Sequence, residues 1–346
     1  DARDFAYDLL KEVLEFFPSK YINIGGDEVR STGRGRSLDR SGKYEGPELY
    51  RLHFKKLMEL VREYGKVPMV WGDMFSGMSL NETERERWSY IFKDQMWEET
   101  IIANWNYNGY SQQYFENLIA RVENNVKNQV VCPGFANWYG YYPIYTQALK
   151  NMENFLIPAR KFGLKGFLVT SWGDECLFSF LKPLILACME IAEGNGKWED
   201  KWIALSGETY DVLKVRKLFG DTNMVNELWT VLLEGSSYHG ITGSMVKEVK
   251  DKGVMNLWER VIDDIENICL PEDLDLIKKI LLIGINKLRN CATVSEYLEL
   301  AEIYARLWLK ERKSEGGLKR AVSEFWAAAA RIELETKLLN GNINTL

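Results

Sequence analysis

The stretch Tyr21-Ile-Asn-Ile-Gly-Gly-Asp-Glu-Val29 decides how the chain is read. Lys20 to Ile24 has the composition of a short strand, and Gly25-Gly26 interrupts it just before two adjacent carboxylates. Glycine reaches backbone conformations and close approaches that a side chain forbids, so Asp27 and Glu28 are presented at a strand terminus against a ligand. Upstream, the amphipathic segment Phe5 to Phe17 is a helix that Pro18 stops.

Downstream the same logic repeats. A polar loop runs from about Arg30 to Tyr44, and Gly46-Pro47-Glu48 opens a helix that continues to Tyr64 and stops at Gly65. Val67 to Trp71 reads as a strand, followed by strands at Thr100–Trp105, Val130–Trp138 and Gly166–Trp172, with helices at Ser111–Val126 and Pro143–Phe162. Strands alternating with helices imply parallel strands, in a barrel or an open sheet. Beyond Gly194 strand-like runs vanish, and Val254–Ile268, Leu274–Asn290, Ser295–Arg312 and Leu318–Leu339 are long amphipathic stretches. The expected organisation is an α/β catalytic portion over 1–193 and an all-helical domain over 194–346.

Composition narrows the chemistry. The net charge of -6 is modest and the cations are interspersed with acids, which gives a nucleic-acid partner no electrostatic support. No apolar run approaches the roughly 18 residues of a membrane span, so no membrane partner is expected. The five cysteines are widely spaced without a C-x-x-C pair and read as buried reduced thiols. With only His53 and His239 in the chain, neither beside a second ligand, neither a metal site nor a Ser-His-Asp triad assembles, and no cofactor is expected. Catalysis must lean on carboxylates. The 12 Trp and 17 Tyr suit sugar rings, whose C–H faces pack on aromatic planes, and they suit core packing equally.

Each strand of the first half ends in residues of an active-site kind: Gly25-Gly-Asp-Glu28, Trp71-Gly-Asp73, Asn104-Trp-Asn-Tyr107, Ala136-Asn-Trp-Tyr139 and Ser171-Trp-Gly-Asp-Glu175. Taken singly, a Trp there is a core plug and an Asp after Gly a turn or cap. Recurrence after every strand favours one pocket at the carboxyl ends of parallel strands. Glycosidic hydrolysis needs a proton donor for the leaving oxygen and negative charge near an oxocarbenium-like carbon. Adjacent residues of an extended chain point apart, so Asp27 and Glu28 do not face each other across a bond as nucleophile and acid. A substrate whose own 2-acetamido oxygen attacks fits better, with Glu28 as acid and then base and Asp27 orienting the oxazolinium ring.

These ordered motifs, together with Phe135-Ala-Asn-Trp138 and Thr170-Ser-Trp-Gly-Asp-Glu175, resemble the second half of the (β/α)8 barrel of glycoside hydrolase family 20, the β-N-acetylhexosaminidases, in its hexosaminidase-D-like branch. The resemblance covers roughly residues 5 to 190. It implies an incomplete TIM-type barrel with strands four to eight only, followed by the helical domain. It implies Asp27 and Glu28 as catalytic residues, Trp71, Trp105, Trp138 and Trp172 as sugar-pocket walls, and Tyr107, with Tyr139 in reserve, as the donor to the acetamido oxygen. Asp174 would bind sugar hydroxyls, and Asp73 would support the pocket or a hydroxyl. The implied substrate is an N-acetylhexosamine-containing oligosaccharide or glycoconjugate, and the implied compartment is the cytoplasm.

Such a barrel has about three earlier strands and an Arg that grips sugar hydroxyls. Five strands cannot close one, so the expectation is an upstream half-barrel or a second copy covering the open edges. Two other classes compete with this reading. Gly-Gly-Asp-Glu also occurs in diguanylate cyclases, where Phe follows and a nucleotide-binding domain precedes; here Val29 follows a short segment. A non-catalytic carbohydrate-binding or assembly protein on a truncated glycosidase scaffold is the remaining alternative.

Overall fold

The computed structural model describes residues 2–138, 140–173, 176–236, 240–312 and 316–339. The chain divides into two compact units, one of residues 1–134 and 151–170, the other of residues 135–150 and 171–346.

The first unit is α/β. After α1 (Ala2–Phe16), strand β1 (Tyr21–Asn23) is followed by α2 (Arg36–Ser41), α3 (Gly46–Glu63) and β2 (Val67–Trp71). The short α4 (Asp73–Ser76) and α5 (Glu82–Trp88) lead to β3 (Ile101–Trp105), α6 (Gln112–Glu123) and β4 (Gln129–Cys132). The strands form a four-stranded parallel sheet in the order β1-β2-β3-β4, with Tyr21 opposite Val67, Met69 opposite Ile101 and Ala103 opposite Val130.

Local chemistry explains the boundaries. Pro47 occupies the first turn of α3, where its missing N–H costs nothing, and Gly65 turns away with φ 67. Asn81 and Ser111 cap α5 and α6 by accepting from the amides of Glu84 and Tyr114. Buried Tyr50, Phe54, Met58, Val70, Phe75, Trp88, Phe92, Trp97 and Ile102 form the main core of this unit, and Leu14, Ile22, Leu60 and Val61 pack as a second cluster.

Four expectations are corrected. The polar loop 30–44 contains the helix α2. The interval between β2 and β3 is more elaborate than a single loop and helix, because Asn81 and Asp94 each cap a new helical turn. The strand read over Val130–Trp138 ends at Cys132, since Pro133 has no N–H to offer a ladder and Ala136 adopts φ 49. The segment Gly166–Trp172 forms no full strand; it makes two isolated parallel bridges, Phe167 with Val131 of β4 and Thr170 with Gly134 just beyond it. Phe167 and Leu168 are exposed, so no burial on that stretch stiffens it into a longer ladder.

The second unit begins at Phe135 and takes in the start of α7 (Tyr145–Lys161), whose residues from Asn151 on are counted with the first. It continues with α8 (Phe178–Glu193), α9 (Trp198–Ser206), α10 (Tyr210–Phe219), α11 (Thr222–Leu232), α12 (Gly243–Asp251), α13 (Val254–Asp264), α14 (Glu272–Leu288), α15 (Val294–Glu311) and α16 (Gly316–Leu339). Among the described residues from Phe178 on, every regular element is helical. Phe219, Trp258, Tyr297, Tyr304 and Trp308 are among its large buried side chains. Thr293 and Glu296 form a capping box at α15. A buried charge cluster joins α10 to α14: Arg216 bonds Asp273 at 2.9 Å and Glu208 at 3.0 Å.

No helix among the described residues is long and apolar enough to cross a membrane. All five cysteines are free, and the expectation that all are buried fails for Cys269 and Cys291, which follow helices and are exposed. Burial pushes the Cys188 thiol up to about 12.

Candidate active site

Three neighbouring strand ends of the first unit carry the candidate residues. The chain leaves β1 at Asn23, four residues before Asp27, so the pair does not sit on a strand at all. The premise that Asp27 and Glu28 diverge by strand alternation is corrected: Gly25 and Gly26, at φ 80 and 104, turn the chain first. Backbone hydrogen bonds fasten this turn to β2, from Ile24 N–H to the Met69 carbonyl at 2.9 Å and from Trp71 N–H to the Gly25 carbonyl at 3.0 Å. Asn23 Oδ1 accepts the Gly25 amide at 2.8 Å.

Gly26 is required by space as well as by φ. A Cβ there would lie 2.9 Å from each of Phe54 Cζ, Tyr50 Oη and Val70 Cγ1. The buried Tyr50 hydroxyl in turn donates to the Gly26 carbonyl at 3.2 Å. Burial raises the Tyr50 hydroxyl well above its ordinary pKa, with the carboxylates of Asp73 and Asp27 adding to the rise, so it remains a donor.

Asp27 and Glu28 are both exposed. Glu28 adopts φ 51, a left-handed conformation that costs a non-glycine residue about 1–3 kcal/mol. Its carboxylate lies 3.6 Å from the Arg30 guanidinium in an ion pair exposed on both sides, a geometry worth about 1 kcal/mol or less.

From the next strand end, Trp71 is half-buried and Asp73 is fully buried. Asp73 Oδ2 accepts the Glu28 amide at 2.9 Å, and Oδ1 accepts Trp105 Nε1–H at 3.2 Å. Burial raises the Asp73 carboxyl above its ordinary value of 3.8; hydrogen bonds from Ser79, Glu28 and Trp105 oppose that rise, and the Asp27 charge adds to it. Gly72 makes the approach possible, since a Cβ would come within 2.8 Å of Asn104 Cα.

At the third strand end the half-buried Trp105 and Tyr107 stack, with ring centroids 5.0 Å apart and planes 23° from parallel. The loop that carries Tyr107 is held by buried Asn151, whose Nδ2 donates to the carbonyls of Asn106 and Asn108, each at 2.9 Å. Asn151 Oδ1 accepts the Gly134 amide at 3.1 Å. A Cβ on Gly134 would fall 2.7 Å from Tyr107 Cδ1, so the bare backbone of the fourth strand end lies against that ring.

Tyr50 and Asn151 escape sequence reasoning. Each sits inside a helix among residues that look like packing, and nothing local says that it reaches a strand-end loop.

The structure thus gathers Asp27, Glu28, Trp71, Asp73, Trp105 and Tyr107 at the carboxyl ends of β1, β2 and β3. Trp138 and Trp172 belong to the second unit; there Trp138 is half-buried and Trp172 half-exposed. In that unit Asn137 Nδ2 donates to Ser171 Oγ at 2.9 Å, and the Asn137 side chain and carbonyl occupy the space a Cβ on Gly173 would need. Tyr139 and Asp174 lie outside the described residues. Among the described residues no group of three or more His, Cys, Asp or Glu side chains could hold a metal ion.

Two exposed carboxylates flanked by stacked aromatic rings and buried donors can transfer a proton, balance a cation and hold an apolar sugar face. Residues 1–147 match the model of the glycosyl hydrolase family 20 catalytic domain. No curated protein sequence matches the chain. Among solved structures, a chitobiase from Flavobacterium johnsoniae aligns with a TM-score of 0.36 at 12% identity, over 95% of this chain and 58% of that one. The chain therefore spans a little over half the length of that enzyme. Residues 1–147, which hold the Asp27-Glu28 turn and the Trp71, Asp73, Trp105 and Tyr107 strand ends, are thus similar to the catalytic domain of glycosyl hydrolase family 20.

Proposed function

We propose that the chain carries the catalytic carboxylates of a retaining, exo-acting β-N-acetylhexosaminidase that removes terminal β-linked N-acetylglucosamine or N-acetylgalactosamine. The observation that carries this reading is the convergence of Asp27-Glu28, Asp73, Trp105 and Tyr107 on adjacent strand ends within a segment of family 20 character. In this reading the sheet is the later part of a (β/α)8 barrel, and residues 194–346 form its helical companion domain. Upstream strands or a second copy complete the barrel.

Glu28 donates a proton to the leaving glycosidic oxygen while the substrate's acetamido oxygen attacks the anomeric carbon from the opposite face. The products of this step are the free aglycone and an oxazolinium ring, whose positive charge Asp27 balances. Glu28, now a carboxylate, takes a proton from water as that water opens the ring, and two inversions leave the β configuration retained. Trp71 and Trp105 wall the sugar, and Tyr107 donates to the acetamido oxygen. Trp138, Trp172, Tyr139 and Asp174 are proposed as further sugar-contacting residues on the sequence resemblance alone.

The test is hydrolysis of an aryl β-N-acetylglucosaminide by Glu28→Gln and Asp27→Asn variants. Each is expected to lose at least about a hundredfold in kcat; an undiminished rate in either would overturn its assigned role. A second reading, sugar binding without cleavage, is favoured by the 58% exposure of the Glu28 side chain, since glycosidic chemistry proceeds where water is excluded. Binding of the reaction product without turnover would establish it.

A further inference from the structure

We infer that Asp73 is the positioning residue of this site: its one carboxylate sets both the backbone from which Glu28 projects and the plane of the Trp105 indole. The inference rests on the functional reading above and gives Asp73 a role other than contact with a sugar hydroxyl.

Asp73 is fully buried at the first residue of α4, and each of its oxygens already serves a protein donor. Oδ2 takes the Glu28 amide at 2.9 Å and Oδ1 takes the Trp105 indole at 3.2 Å. A carboxylate so committed has little left to offer a ligand. What it does instead is join two groups that the chain supplies from different strand ends, 45 and 32 positions away. Hydrogen bonds to an ionised acceptor are about twice as strong as neutral ones.

The Glu28 link matters because of the conformation it holds. At φ 51 Glu28 occupies a region that glycine favours, one residue beyond two glycines that give the turn no stiffness of their own. The Asp73 bond is made to the amide of that very residue, so it helps fix the direction in which Glu28 leaves the backbone. Trp105 has the complementary relation: its indole is tied at Nε1 while its ring stacks on Tyr107. One buried group therefore aligns the proton donor with the aromatic wall, and Gly72 permits it by letting the strand end pass close to Asn104.

The experiment compares Asp73→Ala and Asp73→Asn with the unaltered full chain by two readouts. One is steady-state hydrolysis of an aryl β-N-acetylglucosaminide. The other, which needs no turnover, is the nitrogen–proton resonances of the Glu28 amide and the Trp105 indole. A positioning role predicts a fall in kcat of about a hundredfold for Asp73→Ala with KM changed less than about threefold, since misplacement of a reacting group costs that much. Asp73→Asn, whose single oxygen keeps one donor, falls less. Both resonances move upfield in Asp73→Ala. A rise in KM at unchanged kcat would mean direct sugar contact and overturn the inference, as would unmoved resonances. Should Asp73→Ala not fold, Asp73→Asn carries the same two readouts. If Glu28→Gln keeps full activity, the functional reading fails, while the resonances still report independently on the Asp73 links.

Discussion

The Tyr50 hydroxyl donates to the Gly26 carbonyl at 3.2 Å, and its oxygen stands 2.9 Å from where a Gly26 Cβ would be. One side chain of α3 therefore both braces the turn before Asp27-Glu28 and forbids any residue but glycine there. Gly26→Ala is expected to destabilise by about 2 kcal/mol or more, from strain at φ 104 and displacement of packed core atoms. Tyr50→Phe leaves the carbonyl without its donor and should cost about 1 kcal/mol. Urea unfolding checks both; a Gly26→Ala variant as stable as the parent would refute the steric account.

Asn151 offers a charge test of the loop that carries Tyr107. Its amide nitrogen faces the two carbonyl oxygens of Asn106 and Asn108. Asn151→Asp would replace that donor with an acceptor against two acceptors, so at neutral pH it should be less stable than Asn151→Ala, by about 1–3 kcal/mol. Protonation restores one donor, and the gap should narrow on acidification. Thermal melts of the two variants at pH 7 and pH 4.5 measure it, and a constant gap would contradict the geometry.

The pH dependence of stability should reveal Asp73. Burial raises its carboxyl above 3.8 despite three opposing hydrogen bonds. A group whose folded pKa is raised contributes stability that is present below its unfolded value and is lost as pH rises through the folded value. Asp73→Asn does not titrate there. The Tm of the parent minus that of Asp73→Asn should therefore increase as pH falls from 7 towards the carboxylate range. A difference that stays flat or shrinks would mean the hydrogen bonds outweigh desolvation.

In the helical unit, Arg216 is 3% exposed between Asp273 and Glu208. Arg216→Leu strands two carboxylates without their cation and should destabilise by about 3–5 kcal/mol. Adding Asp273→Asn should recover part of that loss, because the cost lies in uncompensated charge. Denaturant titration of the single and double variants decides; additive losses would argue against it.

Much of this architecture was legible in residues close together in the chain. The run Val67 to Trp71 between Gly65 and Gly72 reads as a strand because it is a short, wholly apolar run that glycines bound, and the structure has β2 over those residues. The helices α3, α6, α7 and α13 to α16 likewise follow from apolar period and local stops. The expectation fails at Gly166–Trp172 because an apolar run reports burial preference, while a ladder also needs a neighbour along its length; two isolated bridges form there, one to β4 and one just beyond it.

The sequence by itself determined which residue types stand at each strand end and where helices begin and stop, because caps, prolines and glycines act within a turn of themselves. It also carried the Asp27-Glu28 pair and the family likeness. The tertiary structure alone decided that Asp73 meets the Glu28 amide and the Trp105 indole, that Tyr50 braces Gly26, and that Asn151 holds the loop of Tyr107. A buried polar group must find a partner wherever the folded backbone brings one, and separations of 24 to 45 residues leave no local trace of the pairing.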